Sequence, residues 1–168
     1  MTRLSVILAT LALVFSVAKS ASAEGVVAAG ELGVGGGLEA GDPGTGKTTF
    51  HRARTRIFVG AETRLSDDRV ERLGFVVFAD LEPHTGLGGS ARYLHFLGKR
   101  MVGFVGLTGA LAPHTLFGGE AGLKFVLGGG DLKFFLEPSI AALPLGTDLP
   151  TDRVLLWGLV GLGIHAEL

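Results

Sequence analysis

Apolar and polar residues alternate with a period of two over most of this chain, and the alternation recurs in eight separate segments. A period of two places successive side chains on opposite faces of a β-strand, whereas an amphipathic helix repeats about every 3.6 residues. No segment competes as an amphipathic helix. The pattern therefore predicts an all-β protein whose eight strands cover residues 25–40, 49–65, 70–82, 92–97, 101–111, 115–127, 132–143 and 154–168.

The segments between these strands are rich in glycine, proline, serine and aspartate, which favour turns. Short turns at one end alternate with mostly longer connections at the other. The short turns are 66–68, 98–99 and 128–130, and the other connections are 41–47, 83–89, 112–114 and 144–152. This arrangement is typical of antiparallel strands that run up and down in sequence order.

The first 23 residues have the composition of a secretory signal peptide. Arg3 supplies a basic start, residues 4–17 form an apolar run, and Ala21-Ser22-Ala23 is a small-residue cleavage site. The apolar run is shorter than the about 20 residues that a membrane-spanning helix needs. We therefore expect residues 1–23 to be removed and residues 24–168 to form one domain that works outside the cytoplasm.

Charge and composition exclude several classes of protein. Arg3 and Lys19 are the only charged residues of the leader, so the mature chain carries 13 basic and 16 acidic residues, a net charge of −3. A mildly acidic chain without a basic block is not expected to bind nucleic acid. The absence of cysteine excludes disulfides, thiolate metal sites and a cysteine nucleophile. No cofactor is expected.

One face of several strands collects charged residues of both signs. Closing the hairpin of the second and third strands over Asp67 gives three oppositely charged facing pairs: Glu62 with Arg72, Arg54 with Asp80, and Arg52 with Glu82. Closing the first hairpin on the 41–48 loop gives a row of glycines facing arginines: Gly37 with Arg52, Gly35 with Arg54, and Gly33 with Arg56. Glycines weaken a strand, so a row of them facing long side chains indicates a crowded interior.

Alternation alone leaves open whether the apolar faces point to a core or to lipid. Apolar faces turned inward would make a soluble secreted barrel, of lipocalin or avidin type, that binds an apolar ligand. Apolar faces turned outward would make a transmembrane barrel with charged pairs inside. In several strands one face is apolar without interruption over about nine to eleven residues, the length that a tilted strand needs to cross a bilayer. The other face mixes both signs with many glycines, and only 18% of all residues are charged. Both observations favour a barrel whose apolar faces point to lipid.

The chain resembles the small eight-stranded outer-membrane barrels of Gram-negative bacteria, the OmpA/OmpX type, in its leader, its eight strands and its terminal strand GLGIHAEL at 161–168. In that family the terminal strand is the assembly signal and usually ends in Phe or Trp, where this chain has Leu168. The resemblance implies an outer-membrane β-barrel domain over 24–168. It also implies a monomer that contacts outer-membrane lipid and meets the barrel assembly machinery through its C-terminal strand.

Residues 41–48, GDPGTGKT, match the phosphate-binding P-loop pattern in full. In that motif Lys47 would contact the outer phosphates and Thr48 a magnesium ion. A P-loop must be followed by a helix whose free N–H groups bind the anion, but residues 50–59 alternate as a strand. Residues 33–40 are glycine-rich where a central parallel strand would be continuously apolar. We therefore interpret the match as a hairpin loop.

No catalytic or metal-binding set is expected, although some small outer-membrane barrels are lipid-modifying enzymes and that alternative stays open. Ser139 and His165 share the inward face of neighbouring strands, but closing the last hairpin separates them by eight residues, about 26 Å along the sheet. The histidines are scattered without metal-ligand spacing: His51, His84, His95, His114 and His165. His84 and His114 fall in loops at the same end, which leaves a weak surface metal site open.

An eight-stranded barrel has an interior just wide enough for its own side chains. We expect inward charges to fill it as a network of ion pairs: Arg52, Arg54, Arg56, Glu62, Arg72, Asp80, Glu82, Glu120, Lys124 and Glu137. A filled interior excludes open diffusion of solutes, so a structural or surface-interaction role without catalysis is the expected function. Because a buried charge needs a partner, Arg54→Ala is expected to impair folding by leaving Asp80 unpaired.

Overall fold

The computed structural model of the chain describes residues 29–42, 49–65, 70–82, 85–112, 115–146 and 154–167. The leader expected at 1–23, residues 43–48 of the P-loop-like segment and the terminal Leu168 lie outside the described residues, as do His84 and His114. The described ranges contain no helix long and apolar enough to cross a membrane.

Eight antiparallel strands make up the described chain. Their bounds are β1 Ala29–Asp42, β2 Thr49–Arg64, β3 Glu71–Glu82, β4 Gly86–Phe96, β5 Met101–Ala112, β6 Leu116–Leu127, β7 Leu132–Gly146 and β8 Val154–Glu167. Each strand pairs with its neighbours in sequence order, and β1 also pairs with β8, which closes the sheet into a barrel. The eight-stranded up-and-down barrel expected from the sequence is confirmed.

The fourth strand differs most from the sequence expectation. It begins at Gly86, whereas the sequence predicts only a short strand over 92–97 whose facing is unclear, because glycine-rich residues 86–89 resemble a loop. With the full strand in place, consecutive strands are joined by three to seven residues at one end of the barrel and by four to six at the other. The expected contrast between short turns and longer loops is therefore wrong.

Three expected strand registers are each wrong by two residues. The structure pairs Arg56 with Asp80, Gly37 with Arg54, and Ser139 with Leu159. A shift of two residues moves a side chain along its strand but keeps it on the same face, because the side-chain period is two. The faces assigned from the sequence are therefore retained, and only the height of each residue in the barrel changes.

Apolar side chains cover the outside of the barrel, and charged side chains lie inside it. Exposed apolar residues occur on every side, among them Val34, Val77, Tyr93, Leu107, Phe117, Ile140 and Leu162. Buried charged residues include Glu31, Arg72, Asp80, Lys124 and Glu137. This distribution differs from that in a water-soluble protein, where charged residues are almost never fully buried unless they are paired.

Phenylalanine rings inside the barrel lie over glycines of the neighbouring strand. The directly paired residues are Gly33 with Phe58, Gly88 with Phe78, Gly122 with Phe104, and Gly163 with Phe135. A Cβ atom at Gly33 would lie 2.5 Å from Cζ of Phe58, and one at Gly122 would lie 2.5 Å from Cζ of Phe104. The glycines therefore provide the space that the rings occupy.

Gly33→Ala is expected to destabilise the barrel by about 1 to 3 kcal/mol, because the added methyl group would overlap the Phe58 ring and the backbone oxygen of Leu162. Gly30→Ala is the matched control on the outer face of the same strand, where the added Cβ would have no heavy atom within 4 Å. Urea unfolding of both variants in detergent measures the difference. Equal stabilities would contradict the packing of Phe58 against Gly33.

Candidate functional site

Eight of the ten charged residues expected inside the barrel are buried: Arg54, Arg56, Glu62, Arg72, Asp80, Glu120, Lys124 and Glu137. Arg52 and Glu82 are exposed instead of enclosed. They stand near the start of β2 and at the end of β3, so both lie at the rim of the barrel next to its connections.

Four charged residues from adjacent strands pair near one end of the barrel: Glu39 on β1, Arg54 and Arg56 on β2, and Asp80 on β3. We call them the Arg54 cluster. Arg54 Nε donates to Glu39 Oε2 at 2.9 Å, and its Nη1 donates to Asp80 Oδ2 at 2.8 Å. Arg56 Nε donates to the other oxygen of Asp80 at 3.1 Å. Two acids and two bases balance one another in this cluster.

Aromatic and aliphatic side chains share the interior with the charges, which corrects the expectation of ion pairs alone. Cζ of Arg54 lies 4.1 Å from the centre of the Trp157 ring, and Cζ of Arg56 lies 3.9 Å from the centre of the Phe78 ring. Both rings belong to a buried apolar group: Phe58, Val76, Phe78, Ala110, Leu116, Phe135, Ala141, Leu143, Trp157 and Leu159. The arginines therefore gain cation–π contacts in addition to their carboxylate partners.

Lys124 on β6 is 1% exposed and lies at the centre of a second group of charges. Its Nζ donates to Glu31 on β1 and, at 3.0 Å, to Glu62 Oε1 on β2. Glu137 Oε2 on β7 lies 3.6 Å from the same Nζ. Three carboxylates from three strands therefore share one ammonium group. We call these four residues the Lys124 cluster.

Two arginines extend the Lys124 cluster. Arg92 donates from Nε to Glu120 Oε1 at 2.6 Å and from Nη1 to Glu137 Oε1 at 2.8 Å. Arg72 donates from Nη1 to Glu62 Oε2 at 2.9 Å. Glu62 and Glu137 thus each lie between two cations, which compensates for the loss of hydration on burial.

The charged contacts continue to the end of the barrel where β8 finishes. His165 is buried, with Nε2 3.3 Å from Glu167 Oε1 and Nδ1 3.8 Å from Glu62 Oε1. Arg72 and Lys133 also contact Glu167, at 3.2 and 3.6 Å. The interior at this end is therefore occupied by a continuous set of ion pairs.

Glu31, Glu39, Arg92 and His165 are buried inside the barrel but absent from the set expected from the sequence. Arg92 is missed because its strand is taken to begin there, and the alternation that starts at Gly86 would have assigned it to the inner face. Glu31 and Glu39 lie on the glycine-rich face of β1. The expected register, which is wrong by two residues, gives neither of them a basic partner.

The structure keeps Ser139 apart from His165, the histidine that shares the inward face of the neighbouring strand. Ser139 pairs with Leu159, which lies six residues from His165 on β8, about 20 Å along the strand.

Glu31, Glu62 and His165 place three potential metal-ligand atoms within 4.8 Å of one another. Lys124 Nζ already bonds both carboxylates, so a metal ion would have to displace a buried ammonium group.

The P-loop-like segment leads into a strand. β2 begins at Thr49, directly after the segment, and runs to Arg64. Residues 49–64, which would have to form the helix of a P-loop, therefore do not provide a helix N-terminus for a phosphate.

Two solved structures share the fold. One comes from the de novo design of transmembrane β-barrels, with a TM-score of 0.50 and 12% sequence identity, and covers 84% of this chain and 95% of its own. The other is the crystal structure of Neisserial surface protein A (NspA), with a TM-score of 0.50 and 12% identity, covering 83% of this chain and 99% of its own. No protein-family model matches the chain, and no curated protein matches it. The chain thus has the fold of a transmembrane β-barrel, as its resemblance to the small outer-membrane barrels implies.

Lys124→Met is expected to cost about 3 to 5 kcal/mol of unfolding free energy, because it leaves three buried carboxylates without their shared cation. Lys133→Met is the control. Its side chain is 26% exposed and makes one ion pair of 3.6 Å, so less than about 1 kcal/mol is expected. Urea titration in detergent measures both changes. Similar losses for the two variants would contradict the central place of Lys124.

Arg54→Ala is expected to cost less than Lys124→Met, about 1 to 3 kcal/mol. The earlier expectation that Asp80 would be left unpaired needs correction, because Arg56 also bonds Asp80. Removing both arginines leaves Asp80 without either bond, so the double variant should lose more than the sum of the single losses. Additive losses in urea unfolding would show that the two arginines do not share Asp80.

Proposed function

We propose that this chain is an integral protein of the bacterial outer membrane, exported by its leader, with a barrel sealed by its own side chains. Its role is structural or one of surface interaction, without catalysis or passage of solutes. The observation that supports this proposal best is the distribution of polarity: side chains facing out are apolar, and charged side chains facing in are paired.

The outer surface suits contact with hydrocarbon. Among the outward strand positions whose side chains are described, Glu71 is the one residue with an acidic, lysine or arginine side chain. It is the first residue of β3, and it accepts a hydrogen bond from the Tyr93 hydroxyl at 2.7 Å. Tyrosine is typical of the membrane–water interface. The outward positions from Leu73 to Leu81 are apolar over nine residues, about the length that crosses a bilayer.

The C-terminal strand stands where the barrel closes, since β8 pairs with β7 on one side and β1 on the other. By its resemblance to the small outer-membrane barrels, we propose that this strand is the segment read by the barrel assembly machinery. The folded barrel is proposed to be a monomer that contacts the surrounding lipid.

Insertion is tested by fractionation and by gel migration. We expect the protein in the outer-membrane fraction, resistant to extraction with urea, and faster on a denaturing gel before heating than after it. Recovery in the aqueous fraction would contradict insertion and favour the soluble ligand-binding barrel.

Leu162→Arg is expected to cost about 2 to 4 kcal/mol in a bilayer, because it places a charge on the outer face of β8 in hydrocarbon. Leu97→Arg is the matched control: Leu97 is also 54% exposed but lies in the turn after β4, where an arginine reaches water. Folding into lipid vesicles measures both variants. A neutral effect of Leu162→Arg would mean that this face meets water.

The sealed interior and the non-enzymatic role have separate tests. The purified protein in a planar bilayer should show no steady conductance, since ion pairs and apolar side chains fill the barrel. The lipids of a strain that lacks the gene should match those of the parent strain. Steady conductance would contradict the sealed interior, and a missing lipid modification would favour the enzyme.

A further inference from the structure

One row of residues crosses four neighbouring strands of the barrel wall and has side chains only at its ends. Arg56 on β2 faces Gly35 on β1, Gly35 faces Gly161 on β8, and Gly161 faces Glu137 on β7. Three strand spacings, about 14 Å along the wall, separate Arg56 from Glu137. The two glycines between them contribute no side chain at this height, although the Phe58 ring lies against Gly161.

A small cavity lies in this gap. It has a volume of about 20 Å³, and its lining combines the polar side chains of Arg56, Arg92, Glu137 and Ser139 and the glycines of the row with the apolar side chains of Phe58, Val76, Phe78 and Leu159. A cavity of this size holds one water molecule if two or more polar groups line it.

Two charged side chains of the lining each have a polar atom that forms no hydrogen bond, although Glu137 Oε2 also lies 3.6 Å from Lys124 Nζ as an ion pair. Arg56 Nη2 and Glu137 Oε2 are buried and form no hydrogen bond with another group of the protein. Arg56 is 7% exposed and uses Nε for Asp80, while Glu137 is 4% exposed and uses Oε1 for Arg92. A buried donor and a buried acceptor that form no hydrogen bond are costly, and a bridging water would satisfy both.

We propose that one ordered water molecule binds in this cavity, accepts a hydrogen bond from Arg56 Nη2 and donates one to Glu137 Oε2. Arg56 belongs to the Arg54 cluster and Glu137 to the Lys124 cluster, so the water connects the two sets of ion pairs into one network. The charges around the cavity favour a neutral ligand. Glu137 repels an anion, and Arg56 and Arg92 repel a cation.

A crystal structure at a resolution that shows ordered waters tests the assignment directly. The expected result is a density peak within hydrogen-bond distance, about 2.7 to 3.2 Å, of both Arg56 Nη2 and Glu137 Oε2. A direct Arg56–Glu137 contact or a cavity without a peak would overturn the proposal. So would an anomalous peak at this position in crystals grown with bromide, because it would identify an anion.

A double-mutant cycle tests the connection between the two clusters. In urea unfolding, Arg56→Met and Glu137→Gln are expected to be non-additive by at least about fivefold in the equilibrium constant. The same cycle is then repeated in a Gly35→Ala background, where the added Cβ lies 3.2 Å from Arg56 Cγ and takes up space in the cavity. There the coupling is expected to fall to about twofold or less.

Gly36→Ala is the matched control background, because its added methyl group lies on the outer face, with its nearest neighbour, the Arg54 backbone oxygen, at 3.9 Å. The coupling should persist in this background. Additive effects in the unaltered barrel, or coupling that survives Gly35→Ala unchanged, would overturn the bridging water. If the charge variants do not fold, the crystal structure of the unaltered barrel still decides.

Discussion

The interior of an eight-stranded barrel is only wide enough for the side chains of its own wall, and this limit determines which residues can face one another. An aromatic ring or a carboxylate from one strand fits inside only where the neighbouring strand has a glycine. A Cβ atom at Gly60 would lie 2.6 Å from Glu31 Oε1, and one at Gly33 would meet the Phe58 ring. The inward glycines are therefore a consequence of the narrow interior, although each of them weakens its strand.

The same limit explains why charges are a poor guide to register in this barrel. Arg54 reaches Asp80 diagonally, although Arg56 is the residue directly opposite Asp80. A register chosen to make opposite charges face one another is wrong here by two residues, because long side chains bond across the diagonal. The phenylalanine rings lie directly opposite the glycines. Aligning rings with glycines would have given the correct register for four of the eight strand pairs.

Alternation is enough to predict the strands, their faces and the closed antiparallel fold, because it depends only on the polarity of residues that are adjacent in the sequence. Alternation does not reveal the first half of β4, because three of the four residues from Gly86 to Gly89 are glycines without side chains. Since that half of the strand is not predicted, the inward position of Arg92 is not predicted either. The partners of Lys124 are beyond local reasoning. Glu31 is 93 residues away in sequence, and closure of the barrel is what brings the two together.

The two charged clusters differ in what they require of the fold. The Arg54 cluster uses β1, β2 and β3, so its ion pairs can form in two adjacent hairpins before the barrel closes. The Lys124 cluster joins β6 to β1, β2 and β7, and its contacts with β1 and β2 need the closed sheet. Before the barrel closes, the charged side chains of this cluster can stay hydrated. After closure, only ion pairs with the correct partners compensate for the lost hydration. A barrel closed in the wrong register would enclose unpaired charges, which are strongly destabilising. We therefore expect the buried ion pairs to contribute more to selecting one closed barrel than to the stability of the sheet itself.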